Sequence, residues 1–113
     1  MRNIIIIAAI VLASCSSKNH FKLPSGELEL SIMGDSGITS TCIISANSDT
    51  FIKIQSWLTN NQSDWHKSPA SYLPKKIITG NDFKAQILKN SIVINDLWVH
   101  AINDSFYGSI TCE

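Results

Sequence analysis

The side chains that could do chemistry here are few: one serine in a Gly-Asp-Ser-Gly run, three histidines and a scatter of single aspartates. A serine becomes a nucleophile when a base takes its proton and a third group orients that base. Gly34-Asp35-Ser36-Gly37 supplies the serine. The same residue types are what a hairpin turn selects for its backbone angles, and the turn is the reading adopted. His20, His66 and His100 lie far apart in the chain, and no His-x-His, His-x3-His or Cys-x2-Cys spacing frames a zinc or copper site. A site assembled through space from His66, His100 and a carboxylate such as Asp64 stays open, beside the plainer reading of three solvated or hydrogen-bonded imidazoles. Asp35, Asp49, Asp64, Asp82, Asp96 and Asp104 occur singly, at expected turns, caps and loop edges where a short polar side chain bonds the local backbone. No glycine-rich phosphate loop is present. The expectation is a protein with no catalytic residues, no metal and no cofactor, and so not an enzyme.

The Gly-Asp-Ser-Gly run resembles the nucleophile turn of chymotrypsin-like proteases over four residues, with Ile38 standing where that turn continues in glycine. Those enzymes bring His and Asp from a separate barrel, which a chain of this length does not hold. Ser63–Pro74 is twelve residues without periodicity, punctuated by Pro69 and Pro74. Loops this long in small domains are often functional. Trp65 and Tyr72 are residue types that anchor interfaces, and with His66 and Lys67 they form the expected partner-binding set. The alternative is that Trp65 folds back onto the core beside Trp57 and Tyr72 covers a sheet edge.

The elements that would position this loop follow from hydrophobic period. Glu27–Ile32 alternates polar and apolar residues, the mark of a half-buried strand. After the Gly34–Gly37 turn, Ile38–Ala46 is rich in β-branched residues and reads as the returning strand, with Cys42 sharing a face with Ile38 and Ile44. Asn47-Ser48-Asp49 supplies capping chemistry, and Phe51, Ile54, Trp57 and Leu58 recur at helical spacing, which predicts a helix from Ser48 to about Asn60 with Trp57 in the core. Lys76–Thr79, Phe83–Ile87 and Ser91–Asn95 read as strands joined by turns at Gly80-Asn81 and Lys89-Asn90. Leu97–Ile102 is ambiguous, with strand preferred over short helix, and residues 96–111 are otherwise unassigned. The fold class expected is α+β: an antiparallel sheet of about five strands, order ββαβββ, with one helix packed across it.

The chain has 113 residues, 44% of them hydrophobic and 16% charged, with a formal net charge of zero. One small globular domain fits that length. The balance lacks the basic face that nucleic-acid binding needs, so no nucleic-acid partner is expected. Met1-Arg2-Asn3 carries one positive charge, Ile4–Leu12 is an unbroken apolar run, and Ala13 and Ser14 are small. That is the layout of a secretory signal. Nine helical residues reach roughly 14 Å, about half of a 30 Å hydrocarbon core, too short to span it.

Leu12-Ala13-Ser14-Cys15 then resembles a bacterial lipobox at all four positions. The resemblance implies cleavage after Ser14, acylation of Cys15 and a mature chain that begins at that cysteine. One acyl chain holds a protein to a membrane marginally, and two or three hold it firmly. Ser16 stands where the inner-membrane retention signal of such lipoproteins is usually Asp, so the resemblance points to the periplasmic face of the outer membrane. The domains expected are a leader over 1–14, a lipid anchor and polar tether over 15–26, and one periplasmic domain over 27–113. The tether would reach about 20 Å if flexible. Removing the leader takes the one arginine, leaving eight lysines against nine acids.

With Cys15 used as the anchor, Cys42 and Cys112 remain. An even pair in an exported chain favours an internal disulfide over two free thiols or an intermolecular pair. Closing about 70 residues would stabilise by roughly 4 kcal/mol in the loop-entropy account and would pin the chain's end. Trp57-Leu58-Thr59-Asn60, Trp65, Tyr72-Leu73-Pro74, Gly80, Phe83 and Val93-Ile94 together are similar to small envelope lipoproteins, some of which act as immunity or inhibitor proteins against enzymes delivered into the periplasm. That similarity implies a non-enzymatic module that binds a protein partner, such as a cell-wall hydrolase or toxin. The other reading is a structural accessory of an envelope secretion or assembly machine.

Overall fold

The computed structural model describes residues 19–68 and 72–112. The leader and Cys15 lie outside the described residues, as do Pro69, Ala70 and Ser71 of the long loop. The elements run β1 (Leu28–Gly34), β2 (Gly37–Ile44), α1 (Asp49–Asn60), β3 (His66–Lys67), β4 (Lys76–Gly80), β5 (Phe83–Ile87), β6 (Ser91–Ile94), β7 (Trp98–Ala101) and α2 (Asp104–Ser109). The strands make one sheet in the order β2-β1-β4-β5-β6-β7-β3, with every pairing antiparallel. The class is α+β as expected. Seven strands replace about five and two helices replace one. The additions are β3, inside the stretch read as loop, β7, inside the ambiguous segment, and α2. Among the described residues no helix is long and apolar enough to cross a membrane.

One face of the sheet is apolar because register stacks the right residues in rows. Cys42, Leu30, Ile78, Ala85, Ile94 and Trp98 pair successively across six strands. A neighbouring row carries Ile32, Lys76, Ile87, Ile92 and His100. Alternate residues of a strand share a face, so both rows look the same way. Ile54 and Leu58 of α1 complete the buried cluster with Leu28, Leu30, Ile78 and the β5–β6 isoleucines. Ser48 caps α1: its side-chain oxygen accepts from the Phe51 N–H at 3.2 Å.

The β1–β2 hairpin turns at Asp35-Ser36, and Gly37 adopts φ +117°, a conformation that excludes a side chain without strain. Register shifts between Ile32↔Ser40 and Met33↔Ile38, which leaves Thr39 as an extra residue on β2. The Thr39 hydroxyl donates to the Ile32 carbonyl at 3.1 Å. This bulge reverses the phase of the strand. Ile38 therefore leaves the face shared by Cys42 and Ile44 and stands 63% exposed, which corrects its expected position.

The segment expected to be a polar tether is packed from Asn19 onward. The Asn19 N–H donates to the Gln62 carbonyl at 2.8 Å, and the Leu23 N–H to Gln55 Oε1 at 2.9 Å. Phe21 and Leu23 belong to the core cluster, as a partly buried and a buried member. Pro24 crosses the end of β4 at Gly80, where a Cβ would come within 2.8 Å of the proline ring and 2.6 Å of Leu28. The apolar residues in Phe21-Lys22-Leu23-Pro24 pull this stretch onto the domain, because a side chain like Leu gains about 1.5–3 kcal/mol by leaving water.

Candidate functional site

Cys42 and Cys112 are joined by a disulfide with a Cα–Cα distance of 5.7 Å across a sequence separation of 70. The bridge ties edge strand β2 to the end of the chain and closes the internal pairing among the alternatives the count allowed.

Trp65 does not present an interface. It is 3% exposed, and its indole N–H donates to the Asn61 carbonyl at 2.6 Å. Its ring meets Phe21 at 4.7 Å, Trp57 at 6.0 Å and His100 at 5.0 Å, all edge-on. Trp57 meets His100 at 5.1 Å and stacks on Phe106 of α2 at 4.8 Å. The five rings join the N-terminal segment, α1, β7 and α2. Aromatic pairs contribute about 0.5–1.5 kcal/mol beyond the area they bury. This is the fold-back alternative for Trp65, and it removes that residue from the partner-binding set. Tyr72 is half-buried and its hydroxyl donates to the Ser68 carbonyl at 2.6 Å.

His66 and Lys67 keep their surface positions. They form β3, the short outer strand beside β7, with His66 opposite Val99 and Lys67 opposite Trp98. The Lys67 ammonium lies 5.4 Å from the centroid of the half-buried Trp98 ring. Both β3 side chains are exposed. Lys67 and Trp98 share one face of the sheet and make a small aromatic-basic surface there, while His66 points from the other face; Trp98 is the member that sequence reading missed. Its signal was its phase: it shares a face with His100, two residues on.

Register also settles the through-space histidine idea. His66 pairs with Val99, the immediate neighbour of His100, so His66 and His100 point to opposite faces of the sheet. Among the described residues, no three His, Cys, Asp or Glu groups converge on a point that could hold a metal ion. His100 instead sits on the core face, with Nδ1 2.7 Å from the Ala101 carbonyl. The aspartates are where local bonding wants them. Asp64, Asp82 and Asp96 have positive φ, Asp35 is in the hairpin turn, and Asp49 and Asp104 occupy the first turns of the helices. An acid there favours the positive end of the helix dipole. Asp96 additionally lies 3.1 Å from the Lys84 ammonium and accepts from Gln86 Nε2 at 2.6 Å.

A groove of about 420 Å³ runs between α1 and α2, lined by Lys53, Ser56, Trp57, Asn103, Ser105 and Phe106. Among the described residues Lys53 is its one titratable side chain, so the groove as described offers contact area and hydroxyls rather than an acid–base pair. Lys76 is the more unusual cation. It lies in the core-facing row of β4, 7% exposed, and its ammonium donates to the Tyr107 carbonyl at 2.7 Å and the Ile110 carbonyl at 2.5 Å. It also stands 4.2 Å from the Tyr107 ring centroid. Burial lowers its pKa below the ordinary 10.5. The lysine thus closes the C-terminal end of α2: it joins the Ile110 N–H, which donates to the Tyr107 carbonyl at 3.4 Å, and adds a donor to the Ile110 carbonyl. Phase with Ile78 was the sequence signal for it.

Comparison with known proteins returned no matching family model, no matching curated protein and no matching solved structure.

Proposed function

We propose that this protein is an envelope lipoprotein, held through acylated Cys15 at the periplasmic face of the outer membrane, whose α+β domain binds another protein without catalysing a reaction. Within that reading, the partner is an enzyme such as a cell-wall hydrolase or toxin, and the domain acts as its inhibitor or immunity protein. The observation that carries the reading is the Cys42–Cys112 bridge. Disulfides persist in oxidising, extracytoplasmic compartments, and this one stands in the same chain as the Leu12-Ala13-Ser14-Cys15 signal. The β3 edge supports the binding half of the proposal. Lys67 is solvent-facing beside Trp98 and His66 is solvent-facing on the other side of the same strand, a composition suited to an acidic or aromatic contact on a partner that grips the edge.

Fractionating cells that express Cys15→Ala tests the anchor. The expected product is soluble in the periplasm and lighter than wild type by its acyl groups, and membrane partition at unchanged mass would overturn it. A His66→Ala/Lys67→Ala double variant tests the surface. It should lose partner capture from envelope extracts while its unfolding midpoint stays at the wild-type value. Capture at wild-type yield would remove the β3 edge from the proposal.

A further inference from the structure

The two edges of the sheet are unlike each other. β3 closes one edge with two residues, whereas β2 leaves eight residues, Gly37–Ile44, along the other. Among the described residues no backbone hydrogen bond reaches β2 from its outer side. Proteins usually blunt an edge of this length with charge, proline or a bulge. The bulge at Thr39 interrupts the first half, but Ser40–Ile44 is regular, and no residue from Gly37 to Ile44 is charged or proline. Ile43 stands 55% exposed on this strand.

We propose that the β2 edge pairs antiparallel with β2 of a second copy of this chain, about a two-fold axis perpendicular to the sheet, so that two seven-stranded sheets run on as one. Neutrality favours a copy as the occupant. Two-fold pairing brings a strand against itself, which a charged strand would resist, while this one brings threonines and isoleucines together. Geometry favours it too. A perpendicular axis keeps both α1 helices on one side of the joined sheet. The Asn19–Pro24 segment packs on that same side, through the Phe21–Trp65 contact and the Leu23–Gln55 bond. Both chains therefore lead toward their Cys15 residues from the same side, and both anchors enter one bilayer. This argument rests on the lipid-anchor reading. Two chains confined to one membrane also meet at raised effective concentration, which suits a ladder of about five residues. The disulfide holds Cys42, in the middle of that ladder, through its core-facing side chain, so the edge is ordered before it pairs.

The test uses the full chain in cells, with a photo-crosslinking amino acid at Ile43 and, as control, at Lys53 on the outer side of α1. The Ile43 probe should yield a product of twice the chain's mass, and the Lys53 probe should not. Thr41 pairs inwardly with Ser31, so either charge placed there lies opposite a hydroxyl and leaves the fold intact. In the dimer it lies opposite or diagonal to its own copy, about 4.5–8 Å away. Thr41→Lys alone and Thr41→Glu alone should each lower the Ile43 product at least tenfold. Coexpressing the two variants with different tags should restore it as a mixed dimer. Absence of the doubled product in wild type, adducts with other proteins only, or a dimer indifferent to these charges would overturn the proposal. Fractionation of Cys15→Ala reads the anchor separately: membrane partition unchanged there defeats the lipid reading, while the Ile43 product still decides the dimer.

Discussion

Lys76 occupies a core-facing position with no carboxylate paired to it among the described residues, and its ammonium is held by the two carbonyls at the end of α2 and by the Tyr107 ring. Replacing it by Met leaves the Tyr107 carbonyl with the Ile110 N–H but takes the lysine donor from the Ile110 carbonyl, which costs about 1–3 kcal/mol when that group is buried. Urea unfolding of Lys76→Met at neutral pH should show that loss, and a variant as stable as wild type would mean the Ile110 carbonyl does not need the lysine. The same residue sets a pH dependence. Its folded pKa lies below 10.5, so between the folded value and 10.5 the unfolded chain binds more protons than the native one. Stability contributed through this group therefore rises with pH across that window, and the desolvation cost is fully present below it. Wild type should show this positive slope in the alkaline limb and Lys76→Met should lack it. Trp65 carries the sharper contrast. As a buried ring in a five-ring cluster, Trp65→Ala should cost about 3–5 kcal/mol, or roughly 12–40 °C in Tm for a domain of this size. An exposed anchor would have cost almost nothing. Residue types alone left Trp65 undecided, since an indole suits an interface and a core equally. Phe21 and His100, distant in sequence, made the choice.

At the level of elements, the periodic segments were legible and the short ones were not. Helix α1 was readable from its Ser48 cap and the Phe51, Ile54, Trp57, Leu58 spacing, β5 from alternation, and β4 and β6 from the turns at Gly80-Asn81 and Lys89-Asn90 beside them. β3 has two residues, too few to show a period, and exists because β7 offers it an edge. α2 has six residues, and its legible signal was the cap: Asn103 Oδ1 accepts from the Phe106 N–H at 2.8 Å. The Thr39 bulge was invisible because a one-residue slip is written in register, not in composition. The β2 strand and the chain's end are joined by the disulfide, so Cys42→Ser/Cys112→Ser should lower stability by about 4 kcal/mol in the loop-entropy account. Denaturation midpoints of oxidised and variant protein check this. A difference under about 1 kcal/mol would mean that the unfolded chain is already constrained across those 70 residues.

For the whole molecule, buried Trp65 leaves the partner-binding set read from sequence, and the sheet provides two edges of opposite character on either side of the apolar core. Because Asn19 is already bonded to the Gln62 carbonyl, at most four residue steps separate a lipid-bearing Cys15 from the folded body. Four steps extend at most about 14 Å. With Cys15 seated among acyl chains as proposed, the domain is a low rider that skims the headgroups and cannot sweep the space beyond them. Whatever it meets must come down to the lipid surface, and lengthening the leash by twenty Gly-Ser residues after Ser17 should widen the range of neighbours that in-cell cross-linking records.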